Sequence, residues 1–208
     1  MDKMEMGKKL SREFYERDGI TLAKALLGKV LVHKTKEGIR KAIIVETEAY
    51  MGEKDAAAHS YKKRNPNGRT NIQYGRGGYA YVYLIYGMYS CFNVVANKEE
   101  IPECVLIRAL EPLEGIELME KSRKTEKQKN LCSGPGKLCQ AMEIDRSCYG
   151  EDLCGDNLYI EDAPPLAEEQ VIATPRINIA YAGEAADYPW RFIIKDNPYV
   201  SVKEKSRR

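Results

Sequence analysis

Residues 79–96, YAYVYLIYGMYSCFNVVA, decide the fold, because they contain two strand-like runs on either side of a turn. Tyr79–Tyr86 and Ser90–Ala96 are rich in the aromatic and β-branched residues that favour strands. Between them, Tyr86-Gly87-Met88-Tyr89 contains the glycine that a tight turn accommodates most easily. The stretch therefore predicts an antiparallel β-hairpin.

The rest of the chain predicts more strands and a few helices. Strands are expected at Lys29–Thr35, Ile39–Tyr50, Cys104–Ala109, Leu158–Ile160, Val171–Ala180, Arg191–Ile194 and Tyr199–Val202. Helices are expected at Ser11–Leu27 with a break at Gly19, at Glu114–Lys124 with entry near Pro112, and from Ser133 through Met142. Strands dominate and the helices do not alternate with them, so the pattern predicts an α+β fold with a mainly antiparallel sheet.

Composition is that of an ordinary globular domain. The 208 residues are 43% hydrophobic and 31% charged, and a chain of this length predicts one domain, residues 1–208. No apolar run is long enough to span a membrane, so no membrane association is expected. Met1–Lys9 is polar and lacks a secretory apolar region, which predicts a cytoplasmic protein with residues 1–10 as a flexible tail.

The cysteines and histidines do not suggest a metal site. There are six cysteines and two histidines, His33 and His59, and no pair has the C-x-x-C spacing. We therefore expect buried free thiols, no metal and no cofactor.

Charge is distributed unevenly along the chain. From Ala56 to Lys98 there is no Asp or Glu, while the same span holds seven of the 14 tyrosines. Its basic residues are Lys62, Lys63, Arg64, Arg69, Arg76 and Lys98. Basic and aromatic residues interleaved in this way suit a polyanion with stackable bases. A solvated basic loop followed by a tyrosine-rich strand is the alternative.

Charged residues inside apolar strands are the first candidates for chemistry. Strand alternation places Glu46, Glu48 and Tyr50 on one face, and Arg108 interrupts another apolar strand. Burying such groups is costly unless they are paired or used. Two interpretations remain open: a structural Arg–Glu ion pair between neighbouring strands, or a catalytic carboxylate.

Three further features each have two interpretations. Tyr79, Tyr81 and Tyr83 alternate onto one face, which is either a half-buried face of the sheet or a platform for base stacking. His59 and Asn93 are either hydrogen-bonded structural residues or groups that contact a ligand. The turn at residues 134–138 before a helix is either an anion site or an exposed turn with a lysine.

Several long motifs occur together and in order. They are VETEAY at 45–50, Asp55 to His59-Ser60, YVYLIYGMY at 81–89, LIRALEPLEG at 106–115, LCSGP at 131–135, KLCQA at 137–141 and WRF at 190–192. With these motifs the chain resembles the alkyladenine (3-methyladenine) DNA glycosylase family, from Leu26 to Val202. The resemblance implies a single domain with a curved, mainly antiparallel sheet flanked by helices, and a protruding β-hairpin that enters the DNA minor groove.

The resemblance also implies roles for particular residues. Glu48 would be the general base that activates water, and Arg108 would help to hold that water. Tyr50, His59 and Tyr83 would sandwich a flipped base. The pocket and DNA contacts would be completed by Asn93 against the guanine 2-amino group, Leu106 and Ile177 lining the pocket, Tyr86 as the intercalating wedge, and Met88, Tyr89, Arg69 and Lys137 on the DNA.

Two positions depart from the family pattern. Asn178 follows Ile177 where relatives typically have glycine, and the loop Lys62–Thr70 carries Arg69-Thr70 with an apparent one-residue insertion. Both flank the expected pocket, so they bear on substrate range.

The activity implied by the resemblance is that of a monofunctional DNA glycosylase of base excision repair. Its partner would be double-stranded DNA with damaged purines: 3-methyladenine, 7-methylguanine, hypoxanthine or ethenoadenine. We expect a monomer without cofactor, nucleoid-associated in a bacterium and nuclear in a eukaryote. The alternatives are a non-catalytic nucleic-acid-binding module and a hydrolase of small nucleosides or sugars.

Overall fold

The computed structural model describes residues 7–62 and 64–203. Within them, eight strands form one sheet in which every pairing is antiparallel. The strands are β1 (Val30–Thr35), β2 (Gly38–Tyr50), β3 (Ala80–Ile85), β4 (Tyr89–Ala96), β5 (Glu103–Glu114), β6 (Leu158–Glu161), β7 (Val171–Thr174) and β8 (Arg191–Ile194). With the helices described below, this confirms the α+β prediction.

The long strand β2 organises the sheet. The main order is β3-β4-β5-β2-β1-β6, and β8 pairs with both β2 and β7. One edge of β2 pairs with β5, while the other edge pairs first with β1 and then, from Glu46 to Glu48, with β8. The carboxylates of β2 are therefore surrounded by strands on both sides.

Two β-bulges interrupt the β2–β5 ladder next to these carboxylates. Ile44 pairs with Leu110 and Glu46 with Ala109, so Val45 has no opposite residue. Thr47 then pairs with Ile107, which leaves Arg108 as the extra residue on β5. Bulges re-aim side chains and are common near active sites.

Strand register aligns one row of side chains across five strands. Tyr81 of β3 pairs with Asn93 of β4, Asn93 with Leu106 of β5, Leu106 with Glu48 of β2, and Glu48 with Arg191 of β8. Directly opposed residues share a face of the sheet. Residues distant in sequence are therefore brought to one surface by pairing alone.

The helices cover the other face. They are α1 (Arg12–Tyr15), α2 (Gly19–Leu26), α3 (Ile116–Arg123) and α4 (Pro135–Met142). α2 packs on β2 and β5, and α4 packs on β4 and β5. Thr47 points to this side, where its hydroxyl donates to the carbonyl of Ala23. The alternation of β2 thus separates a helix-covered apolar face from the face that carries Glu46 and Glu48.

Three predicted elements differ from the structure. Pro112 lies inside β5, opposite Ala42, rather than at a helix entry. It is tolerated because the β4–β5 pairing ends at Leu106, so this end of β5 has β2 as its strand partner on one side only. The strand expected at Val171–Ala180 ends at Thr174, where Pro175 follows. Residues 199–202 do not form a strand.

The N-terminal region is partly packed. Lys9 forms an isolated β-bridge with Glu161, and Leu10 is buried. These two residues belong to the folded part, whereas residues 1–6 of the expected tail lie outside the described residues.

The cysteines are free, and all but Cys154 are buried, as expected. In the described part of the chain, no three His, Cys, Asp or Glu side chains are placed to hold a metal ion. None of the helices there has the length and apolar character needed to cross a membrane.

Candidate active site

Glu48 is a fully buried carboxylate held by three neighbours. Its Oε1 accepts a hydrogen bond from the backbone N–H of Ile177 at 2.7 Å and lies 3.4 Å from Nε of Arg108. Its Oε2 accepts the hydroxyl of Tyr50 at 2.8 Å. A carboxylate offers about four lone-pair directions, so these contacts leave about one for a further donor such as a water.

Two neighbours of Glu48, Tyr50 and Arg108, keep their protons. Burial and the neighbouring Glu48 charge raise the pKa of Tyr50 well above its usual range, so its hydroxyl keeps its proton and donates. Burial alone would lower the pKa of Arg108, but the carboxylates of Glu48 and Glu46 outweigh this and raise it.

Glu46 forms the structural ion pair that was one of the two interpretations left open by the sequence. Its Oε1 accepts from Nε of Arg108 at 3.1 Å and from Nε of Arg191 at 2.7 Å, and its Oε2 accepts from the backbone N–H of Ser201 at 2.7 Å. These contacts tie the C-terminal segment to β2. They also hold Arg108 beside Glu48, so the ion pair positions the guanidinium next to the second carboxylate.

A small cavity lies beside the Tyr50 hydroxyl. Its volume is about 40 Å³, which is room for a single water rather than a purine. A ring as large as a base could therefore enter only if the walls moved. The walls are formed by Tyr50, Ala57, His59, Gln73, Tyr81, Tyr83, Asn93, Cys104 and Tyr181.

His59 is a neutral imidazole among tyrosines. Its Nδ1 lies 2.9 Å from the Tyr81 hydroxyl, and its ring meets that of Tyr83 edge-on with centroids 4.7 Å apart. Burial, with a smaller contribution from Arg69, lowers the pKa of His59 to about 4. Although His59 is partly exposed to solvent, it carries no charge at neutral pH, which suits stacking against a cationic ring.

Asn93 is buried and aimed at the cavity. Its Nδ2 donates to the Tyr81 carbonyl at 3.1 Å, and its Oδ1 lies 3.9 Å from the Cys104 thiol. Burial raises the pKa of Cys104 to about 12, so the thiol stays protonated and can donate. These contacts fix the Asn93 amide plane against the cavity wall.

Of the predicted pocket residues, Leu106 and Ile177 do not line the cavity. Leu106 lies between Asn93 and Glu48 in the cross-strand row. Ile177 contributes its backbone N–H to Glu48. The next residue, Asn178, has φ +59°, a left-handed conformation that asparagine tolerates better than most side chains. This explains how asparagine fits where the family pattern has glycine.

Arg176 and Asp55 form a buried ion pair, called the clamp below; the resemblance places the stretch from Arg176 to Ile179 along the pocket, but the sequence does not predict this pairing. Nη1 and Nη2 of Arg176 meet the two carboxylate oxygens of Asp55 at 2.5 and 2.9 Å, and both side chains are fully buried. The guanidinium also lies over the Tyr50 ring, 4.8 Å from its centroid. Asp55 precedes His59, and Arg176 precedes Ile177, so the clamp joins two walls of the site. An Asp and an Arg in separate loops give no sequence signal that they pair.

The β3–β4 hairpin ends in an exposed apolar tip. Tyr86 is 82% exposed, and Met88 and Tyr89 are also exposed. Tyr86 and Gly87 both have positive φ, +52° and +71°. Positive φ is strained for a bulky side chain, and such strain is found at functional sites. The hairpin is as predicted; its entry into DNA stays a prediction.

Two predicted DNA-contacting cations lie near this hairpin. Arg69 is exposed and lies over the Tyr83 ring, 5.2 Å from its centroid. Lys137 is in the first turn of α4, where its Nζ donates to Oδ1 of Asn130 at 2.6 Å. The same turn approaches the hairpin closely, because a Cβ at Gly136 would lie 3.1 Å from the Cβ of Tyr89.

A buried carboxylate with about one direction free, joined through a tyrosine hydroxyl to an aromatic-walled cavity, is an arrangement typical of hydrolases. The comparisons with known proteins agree with this class. The profile of the methylpurine-DNA glycosylase family matches residues 13–198.

Close relatives match almost end to end. A protein of Clostridium acetobutylicum is 54% identical over 207 residues, covering 95% of this chain and 99% of the relative. One of Desulfitobacterium hafniense is 51% identical over 205 residues, covering 94% and 100%. Both are provisionally named 3-methyladenine DNA glycosylases. The chain belongs to the methylpurine-DNA glycosylase family.

Proposed function

We propose that the chain is a monofunctional DNA glycosylase of base excision repair that removes damaged purines from double-stranded DNA. It flips an alkylated or deaminated purine out of the duplex, hydrolyses the N-glycosidic bond and leaves an abasic site. The observation that carries this proposal is the buried Glu48, joined through the Tyr50 hydroxyl to an aromatic cavity at 2.8 Å. The family assignment gives independent support.

The chemistry needs one carboxylate. N-glycosidic bonds break through an oxocarbenium-like state, and an alkylated purine already carries the positive charge that makes it a good leaving group. Glu48 uses its free lone-pair direction to take a proton from the attacking water and stabilises the sugar cation. Arg108, whose Nη atoms donate no hydrogen bond to the described residues, holds that water.

The pocket suits a flat aromatic ring, and a cationic ring gains a further attraction. Tyr50, His59 and Tyr83 stack on the flipped base, and a cation–π contact contributes about 0.5–2 kcal/mol. Asn93 crowds a 2-amino group and so disfavours guanine. Leu106 lies between Asn93 and Glu48 in the cross-strand row, and Ile177 holds Glu48 through its backbone N–H. Among the described residues no lysine lines the cavity, which agrees with hydrolysis by water rather than a Schiff base.

The hairpin side of the molecule meets the duplex. Tyr86 fills the gap left by the flipped nucleotide, with Met88 and Tyr89 beside it in the minor groove. Arg69 and Lys137 contact backbone phosphates on either side. The proposed enzyme acts as a monomer without cofactor or membrane contact, at the nucleoid in a bacterial cell.

The test is single-turnover release of each base from defined duplexes containing 3-methyladenine, 7-methylguanine, hypoxanthine or ethenoadenine. Release of at least one base, with an abasic site and an uncut strand, supports the proposal. Salt-dependent binding to duplex without any release would instead favour a non-catalytic nucleic-acid-binding module. Cleavage of free nucleosides without duplex binding would favour a small-molecule hydrolase.

A further inference from the structure

Gln73 is a buried amide without a partner. It lies in the 3-10 helix Arg69–Tyr74, is 1% exposed and forms part of the cavity wall. Within the described residues, neither its Oε1 nor its Nε2 makes a hydrogen bond. Buried polar side chains are rarely left unsatisfied, and each such group reduces folding stability.

Three other polar side chains of the cavity wall are engaged. Tyr50 donates to Glu48, Asn93 donates to the Tyr81 carbonyl, and His59 pairs with the Tyr81 hydroxyl. Of the two amides on the wall, Asn93 uses both its Nδ2 and its Oδ1 in contacts with the protein, whereas neither atom of Gln73 is used by the described residues. Gln73 is therefore the side chain on this wall that is most available to form hydrogen bonds with a bound molecule.

We propose that Gln73 selects adenine-type bases by pairing side by side with their 6-amino group and N7. A glutamine amide matches this edge, since its oxygen accepts from the 6-amino group while its nitrogen donates to N7. 3-Methyladenine keeps both atoms free. Hypoxanthine presents an oxygen at position 6, which would face the amide oxygen or leave it unpaired. This inference rests on the proposed glycosylase function and adds a preference among its substrates.

The inference makes two predictions that a structural role would not share. Gln73→Leu removes the unsatisfied atoms with little change in size, so the Tm should stay the same or rise. The ratio of 3-methyladenine to hypoxanthine release should fall by about tenfold, because the paired edge is lost for the first base only. Gln73→Glu should lower the ratio too, since a carboxylate offers no donor to N7.

The experiment measures single-turnover release of both bases from matched duplexes by the wild type, Gln73→Leu, Gln73→Glu and Gln128→Leu. Gln128 is exposed and remote from the cavity, so its variant should behave like the wild type. An unchanged ratio in Gln73→Leu overturns the inference, as does a lower Tm with equal loss of both activities. A wild type that releases neither base overturns this inference, and it overturns the proposed function too only if 7-methylguanine and ethenoadenine also stay in the duplex. If the wild type releases both bases and the Gln73 variants leave the ratio of the two rates unchanged, only this inference is overturned.

Discussion

Glu46 and Glu48 lie two residues apart on β2 and share one guanidinium, with Nε of Arg108 3.1 Å from Glu46 and 3.4 Å from Glu48. The two carboxylates nevertheless have different surroundings. Glu46 is paired with two arginines and a backbone N–H, whereas Glu48 keeps about one free direction beside the cavity. One carboxylate orients the arginine, and the other keeps a lone-pair direction for a further donor.

Glu48→Gln should reduce single-turnover base release by about 10²–10⁴-fold while duplex binding persists. The amide keeps the shape of the side chain and an acceptor for the Ile177 N–H, but it cannot take a proton from water. The control is Glu117→Gln on the exposed surface of α3, which removes the same charge. Near wild-type release by Glu48→Gln would show that the assignment of the general base is wrong.

Tyr86→Ser should weaken capture of the flipped nucleotide by about 1–3 kcal/mol. The Tyr86 ring is almost fully exposed, so its loss should leave the Tm nearly unchanged. Ethenoadenine fluorescence in a duplex reports the flipped state. Leu113→Ser, at the exposed far end of β5, is the matched control. Equal flipping by Tyr86→Ser and the wild type would contradict the wedge role.

Asn93→Ser should raise release of unmodified guanine relative to hypoxanthine, because serine leaves room for the 2-amino group. The substitution also leaves the Tyr81 carbonyl without its side-chain donor, which should cost about 1–3 kcal/mol of stability. Both rates are measured under single-turnover conditions. If both fall together at a constant ratio, Asn93 is structural.

Asp55→Asn should destabilise the protein by about 3–5 kcal/mol, since it leaves Arg176 as an unpaired buried charge. The comparison is Glu100→Gln, which breaks the exposed pair with Arg64 and should cost less than about 1 kcal/mol. Urea unfolding measures both. Similar losses in the two variants would show that the clamp does not hold the two walls of the site together.

His59 should make stability fall as the pH drops below 6.5. The pKa of His59 is lowered from 6.5 to about 4 in the folded chain, so between these values the unfolded chain binds the extra proton. The stabilisation is therefore complete above pH 6.5 and is lost as the pH falls towards 4. His59→Asn should lack this part of the pH dependence. Parallel curves for the two proteins between pH 4 and 7 would contradict it.

The sequence predicts the hairpin, the α+β class and the shared face of Glu46 and Glu48, because these follow from local alternation and turn chemistry. It cannot predict the row from Tyr81 to Glu48, since strand register depends on partners far along the chain. The sequence also cannot predict the Arg176–Asp55 clamp, because its two residues lie 121 positions apart in the chain. The sequence wrongly predicts a helix entry at Pro112, because proline is normally excluded from strands. It fits within β5 because this end of the strand pairs with β2 on one side and, within the described part of the chain, has no strand on the other.

The two bulges restrict how the length of this chain can change over evolution. Val45 and Arg108 are the extra residues that bring the ladder back into register around Glu46. A single-residue deletion in either strand would turn the following side chains to the opposite face, placing charges against α2. An insertion in the loop at residues 64–68, which lies outside every strand, alters no strand pairing. Length variation among related chains should therefore collect in that loop and be absent from the central strand pair.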